Sequence, residues 1–200
     1  MRIEDIKTIE EDDLISNCSD GNRNAFAELV RRNQSYAFSL AFRVLTNDDE
    51  AQDVVQESFI RIWKHLKNYN KSIKFKTWLY KIVINLCYDR LRVKKRNMMM
   101  IDDSLSDVDS LYTNKSEDIE ESISNKNLAD WIQHFSNSLS PKQKIVFVLR
   151  DIECLSIKEV SYLANISKNS VKTNLIHARK NIKEKLLKID KKRVDSYELL

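Results

Sequence analysis

The sequence of 200 residues has one glycine, Gly21, and one proline, Pro141. A sheet protein needs many turn residues, so this scarcity points to an all-α fold. It also excludes two kinds of chemistry, because a phosphate-binding loop and a dinucleotide-binding turn each need several glycines for close backbone approach. Cysteine is sparse as well: Cys18, Cys87 and Cys154 are far apart and odd in number. They offer neither a metal-ligand pair nor a disulfide framework, and they read as buried or free thiols of a reducing compartment. His65, His134 and His177 are equally scattered. With no cluster of His, Cys or carboxylates, the expectation is no metal, no cofactor and no enzymatic activity. No apolar run approaches membrane-spanning length, and the acidic N-terminus is unlike a signal peptide. A cytoplasmic protein without membrane insertion is expected.

What the chain has in quantity is charge, and the net value of +4 conceals strong segregation. Residues 1–20 carry seven acids against Arg2 and Lys7. Residues 71–97 carry nine Lys or Arg against Asp89 alone. Residues 101–121 carry eight acids against Lys115, and residues 168–192 carry nine Lys or Arg against Glu184 and Asp190. Two basic blocks separated by an acidic one point to two contacts with a polyanion. Solvated helix faces are the plainer explanation, although such faces usually mix both signs more evenly.

The most informative stretch is Leu155 to Leu187. Ser156 with Glu159 forms a capping-box pattern, and Ile157, Val160, Leu163 and Ala164 share one helical face. Asn165 tolerates a left-handed backbone and can end that helix, after which Ser167 can cap a second. The second helix is expected to bury Val171, Leu175 and Ala178, and to expose Lys172, Thr173, Ile176 and His177. This is a helix-turn-helix pattern, or else an ordinary helical hairpin with a solvated outer face.

Upstream, residues 1–20 read as an acidic lead-in with at most one helical turn. A long amphipathic helix follows from Asn24, with Phe26, Leu29, Val30, Ala37, Leu40, Ala41 and Val44 apolar. A second helix buries Ala51, Val54, Val55, Phe59, Ile62 and Leu66. A basic loop, 67–74, leads to a third helix over 75–92 that buries Phe75, Leu79, Ile82, Val83 and Leu86. The outer face of the third helix carries Thr77, Tyr80, Lys81, Ile84, Asn85 and Tyr88, with Trp78 near its edge. Such a face suits stacking on unpaired bases; it equally suits a helix covered on both sides. Residues 98–125 are Asp/Ser-rich without clean periodicity and read as a tether. A helix pair over 127–149 precedes the helix-turn-helix.

Three segments together resemble a known family: DVVQESFIRIWKHL at 53–66, FKTWLYKIVINLCYDRLR at 75–92, and SLSPKQKIVFVLRDIECLSIKEVSYLANISKNSVKTNLIHARKNIKEKL from residue 138. In this order they are similar to the extracytoplasmic-function sigma factors, small specificity subunits of bacterial RNA polymerase. The resemblance implies two helical domains, 1–97 (region 2) and 126–190 (region 4, the helix-turn-helix), joined by an acidic flexible linker, 98–125, and followed by a charged tail, 191–200. It implies docking on core polymerase by Asp53, Gln56, Glu57, Ile60 and Arg61. It implies contact with the minus-ten element, opened to single strands, by Lys74, Lys76, Thr77, Trp78, Lys81, Asn85, Tyr88 and Arg92. Duplex DNA of the minus-thirty-five element would meet Lys172, Thr173, Ile176 and His177 at base edges, with Lys168, Asn169, Ser170 and Arg179 at phosphates. The linker would act as a nucleic-acid mimic in the polymerase channel or as a plain spacer. Partners implied are core polymerase and promoter DNA, with an anti-sigma factor as a further candidate. Asn165, Asn174, Ile176 and His177 depart from the family's usual residues, which bears on base preference rather than on placement. The competing expectation is a free-standing helix-turn-helix regulator that binds DNA without polymerase.

Overall fold

The computed structural model describes residues 9–104 and 128–197, and every described element is helical or a turn. The helices are α1 (Glu11–Ser19), α2 (Arg23–Leu45), α3 (Asp48–His65), α4 (Phe75–Ser104), α5 (Leu128–Ser136), α6 (Pro141–Phe147), α7 (Ile157–Leu163) and α8 (Lys168–Tyr197). A 3-10 turn, Leu66–Asn68, follows α3, and a π turn, Val148–Ile152, follows α6. The all-α expectation holds for these residues. The chain divides into two compact units, Met1–Cys87 with Tyr162–Ala164, and Tyr88–Ser161 with Asn165–Leu200, so that one break falls within α4.

In the first unit, asparagines set the helix starts. The Asn22 side chain accepts from the Asn24 and Ala25 N–H groups at the head of α2, and Asn47 accepts from the Glu50 N–H at the head of α3. Each satisfies donors that the first helical turn leaves open. Thr46, between them, ends α2 in a left-handed conformation. The core gathers Leu14 and Ile15 from α1, Ala25, Leu29, Ala37, Leu40 and Val44 from α2, Ala51, Val54 and Ile62 from α3, and Phe75, Leu79 and Val83 from α4.

Three expectations need correction here. Residues 11–19 are a packed helix and not a lead-in, because Leu14, Ile15 and Cys18 fall on one face beneath the acids. The α4 helix runs to Ser104, well past residue 92, since no glycine or proline interrupts it. It therefore reaches into the stretch expected as linker; residues 105–125 of that stretch lie outside the described residues. Finally, α4 is covered on two sides: Tyr80 and Ile84 are buried, whereas Ile82 is only half-buried.

In the second unit, Ser140 and Gln143 close a capping box around Pro141 at the start of α6. Proline fits this first turn because its missing N–H would have no partner there. Leu139 and Phe147 pack with Ala178 and Ile182 of α8, flanked by Ile132, Phe135, Ile152 and Leu186. A second capping box, Ser156 with Glu159, starts α7: the Ser156 N–H and hydroxyl donate to the Glu159 carboxylate at 2.8 and 2.6 Å. That carboxyl is held below the usual carboxylate range by the Ser156 hydroxyl and then the Ser156 N–H. Asn165 is left-handed, φ 52°, as the sequence demands.

Candidate nucleic-acid interface

In the second unit the turn between α7 and α8 is stapled by two bonds, Ile166 N–H to the Ser161 carbonyl at 3.2 Å and the Ser161 hydroxyl to the Ile166 carbonyl at 2.6 Å. Ser167 accepts from the Ser170 N–H at 3.1 Å and so starts α8. From there the helix has two sides. Val171, Leu175 and Ala178 are buried, while Lys168, Asn169, Lys172, Thr173, Ile176 and His177 are exposed. Ile176 is 65% exposed, an unusual position for a branched apolar side chain and one suited to a thymine methyl. The Thr173 hydroxyl donates to the Asn169 carbonyl, which leaves its methyl and lone pairs outward. Half-buried Asn174 donates to Ser170, both to its carbonyl and to its hydroxyl. Arg179, expected at a phosphate, has its guanidinium on the Asp151 carboxylate.

The first unit carries two surfaces. Along α4, Lys74, Lys76 and Asn85 are exposed, and Thr77, Trp78 and Lys81 are half-buried. Tyr88 and Arg92 belong to the second unit, where the Arg92 guanidinium lies 5.8 Å from the Tyr88 ring centre. The loop ahead of α4 has internal order. Tyr69 donates its hydroxyl to the Ile73 carbonyl, and its ring lies 5.0 Å from Trp78 and 6.2 Å from Phe75. The Ser72 N–H closes on the Asn70 side chain at 2.9 Å, and Lys71 reaches Ser16 of α1 at 3.1 Å. Because Tyr80 and Ile84 are inside, the aromatic side chain left partly exposed on this unit's stretch of α4 is Trp78.

The second surface is a groove of about 1040 Å³ between α2 and α3, lined by Phe26, Val30, Phe38, Phe59, Ile60 and Trp63, with Gln52 and Gln56 at its side. Phe26 stands 4.7 Å from Trp63 and 6.5 Å from Phe59. Ile60 is 47% exposed. Of the five expected docking residues, Gln56 and Ile60 line the groove. Asp53, Glu57 and Arg61 follow one another at helical spacing beside it, with Glu57 and Arg61 paired at 2.5 Å. Phe26 and Val30, which on a helical stripe read like core, line the groove, as does Phe38, which that stripe did not include.

Among the described residues no group of three or more His, Cys, Asp or Glu could hold a metal, and no helix is long and apolar enough to cross a membrane.

Comparison with known proteins finds two matched regions, the first running ten residues past the Cys87 division. Residues 29–97 match the family described as Sigma-70 region 2, and residues 129–182 match Sigma-70 region 4. The ECF RNA polymerase sigma factor SigW of Bacillus subtilis is 32% identical over 171 residues, 83% of this chain and 91% of SigW. The ECF RNA polymerase sigma factor SigE of Mycolicibacterium smegmatis is 29% identical over 161 residues, covering 80% of this chain and 61% of that protein. Among solved structures, the sigma factor RpoE of Bartonella quintana, in complex with the anti-sigma factor NepR, matches with a TM-score of 0.58 at 21% identity, over 82% of this chain and 98% of RpoE. Two ordered sigma-region matches and a relative above 30% identity along nearly its whole length mean that this chain belongs to the extracytoplasmic-function sigma factors of RNA polymerase.

Proposed function

We propose that the protein binds core RNA polymerase through the α2–α3 groove, captures melted minus-ten DNA along the loop 67–74 and α4, and reads the minus-thirty-five duplex with the exposed side of α8. The observation that carries this reading is the open groove with Ile60 and Trp63 exposed in it. An apolar surface of this kind is costly to leave in water and marks a place where a partner sits. A free-standing DNA-binding regulator has no use for it. The Bartonella neighbour is bound to an anti-sigma factor, which supports a regulator of that class as a further partner here.

Magnitudes explain why the polymerase is needed. Each stacking step of duplex DNA is worth about 1.4 kcal/mol, and capture of an unstacked base on an aromatic ring returns about 1–3 kcal/mol. The two nearly cancel, so Trp78 can trap a flipped base without melting a bubble. The rest comes from the polymerase's hold on DNA. Nucleotidyl transfer belongs to the polymerase, the sigma chain itself makes no bond, and both work in the cytoplasm.

The test is co-elution with purified core polymerase. Gln56→Ala with Ile60→Glu, which puts a charge into the apolar groove, is expected to abolish co-elution at unchanged helix content. Lys172→Ala with Thr173→Ala is expected to keep co-elution and to lose promoter-directed transcription. Full co-elution of the groove variant sinks the docking assignment.

A further inference from the structure

Among the described residues, some basic side chains are held by carboxylates and others by aromatic rings. Arg31 is paired to Glu28, Arg61 to Glu57 and Arg179 to Asp151, each at 2.7 Å or less. A carboxylate at that distance cancels much of the cation's field, and a phosphate must displace it. Lys76 is held by aromatic rings instead. Its ammonium lies 3.8 Å from the centre of the Tyr36 ring and 5.5 Å from that of Tyr80. Tyr80 is buried, but Tyr36 is 57% exposed on α2. Its neighbours Ser35, Phe38 and Ser39 line the groove, so Tyr36 stands beside the docking surface and reaches from α2 to the first turn of α4.

An exposed tyrosine adds nothing to the core, and a surface lysine usually samples many rotamers. Here each restrains the other. The face of an aromatic ring attracts an ammonium through its quadrupole and leaves the ion's charge intact. A phosphate approaching Lys76 therefore meets a full positive charge whose side chain has already lost much of its rotamer freedom. We propose that Tyr36 is a positioning residue for strand capture: its ring holds the Lys76 ammonium, uncancelled, at the edge of the α4 face, where it takes a phosphate of the melted minus-ten strand. This inference rests on the placement of that strand on α4.

The test uses the full chain bound to core polymerase. The probe is the labelled non-template single strand of a promoter that the wild-type holoenzyme opens. Lys76→Gln is expected to lower the slope of log affinity against log salt by about 0.7, the share of one phosphate on a single strand. Tyr36→Leu is expected to weaken strand binding about two- to fivefold, the range of an exposed cation–ring contact, and to have no further effect once Lys76→Gln is present. Tyr36→Phe keeps the ring and stays close to wild type. Core binding, measured in parallel, is equal in all variants. The proposal is overturned if Tyr36→Leu is silent, if it weakens binding equally in the Lys76→Gln background, or if Tyr36→Phe is as weak as Tyr36→Leu. A salt slope that falls in Lys81→Gln but not in Lys76→Gln also overturns the proposal, whereas a slope unchanged in both removes the strand from α4, which separates the two failures.

Discussion

Arg179 on α8 grips Asp151 in the π turn through two hydrogen bonds, Nε to Oδ2 at 2.8 Å and Nη2 to Oδ1 at 2.6 Å. The residues are 28 positions apart, so the pair ties α8 to the turn that precedes α7. The bond to Asp151 raises the guanidinium's pKa further above its ordinary value. With the arginine 56% exposed, water and salt screen the pair, and its worth is about 1 kcal/mol or less.

Arg179→Gln and Asp151→Asn are therefore expected to lower the melting temperature of the second unit by similar, small amounts, and the double variant by no more than either. Thermal melts at two salt concentrations check this. If Arg179 serves DNA phosphates instead, Asp151→Asn frees it and strengthens duplex binding, the opposite result.

Glu28 is the node of a second network. It is almost wholly buried and accepts from Arg31 at 2.7 and 2.8 Å and from Arg32 at 2.8 Å, while Arg32 also donates to the Ile9 carbonyl. The hydrogen bonds from Arg31, then those from Arg32, hold its carboxyl down at about 2, against an ordinary 4.5. A depressed carboxyl stabilises the folded state above its unfolded value and loses that contribution as the pH falls toward its folded value. Stability should decline between about pH 4.5 and pH 2, and Glu28→Gln should flatten that decline. The same substitution should cost about 1–3 kcal/mol at neutral pH, since it leaves donors without their acceptor. Denaturant unfolding across this pH range measures both.

The loop that leads into α4 depends on Tyr69. Its hydroxyl closes the loop on Ile73, and its ring fixes Trp78. Burial raises the phenol's pKa, with Asp12 and Glu11 adding to the effect, so the hydroxyl stays a donor at neutral pH. Tyr69→Phe should keep the ring packing and lose the closure, worth about 0.5–1.5 kcal/mol. Permanganate reactivity of melted thymines in the holoenzyme complex should fall several-fold, with core binding unchanged. Undiminished reactivity would show that loop closure is not needed for opening.

What could be read from the chain depended on whether the cause was local. Caps and turns are short-range chemistry: Ser156–Glu159, Ser167 and the left-handed Asn165 are all where the residue types place them. The two-sidedness of α8 was legible for the same reason, being a periodicity within one helix. Whatever depends on a neighbouring helix was not legible. The apolar outer side of α4 was visible, but that it is covered at Tyr80 and Ile84 and open at Trp78 is a matter of packing. Phe26 and Val30 fall on the same stripe as Leu29, and only the approach of α3 decides which become groove and which become core. The helix α1 was hidden by its own acids, because Leu14, Ile15 and Cys18 make too short a stripe to stand out. The Arg179–Asp151 pair and the Lys76–Tyr36 contact join residues distant in sequence, and no local pattern announces them.

The connections of the first unit have a kinetic consequence. Three residues, Asp20 to Asn22, separate α1 from α2, and two, Thr46 and Asn47, separate α2 from α3. Contacts between such neighbours close short loops, and helical chains dominated by them fold in about microseconds to milliseconds. Translation adds only about 5–20 residues each second. The N-terminal unit can thus assume its shape as it leaves the ribosome, before the second unit has been synthesised.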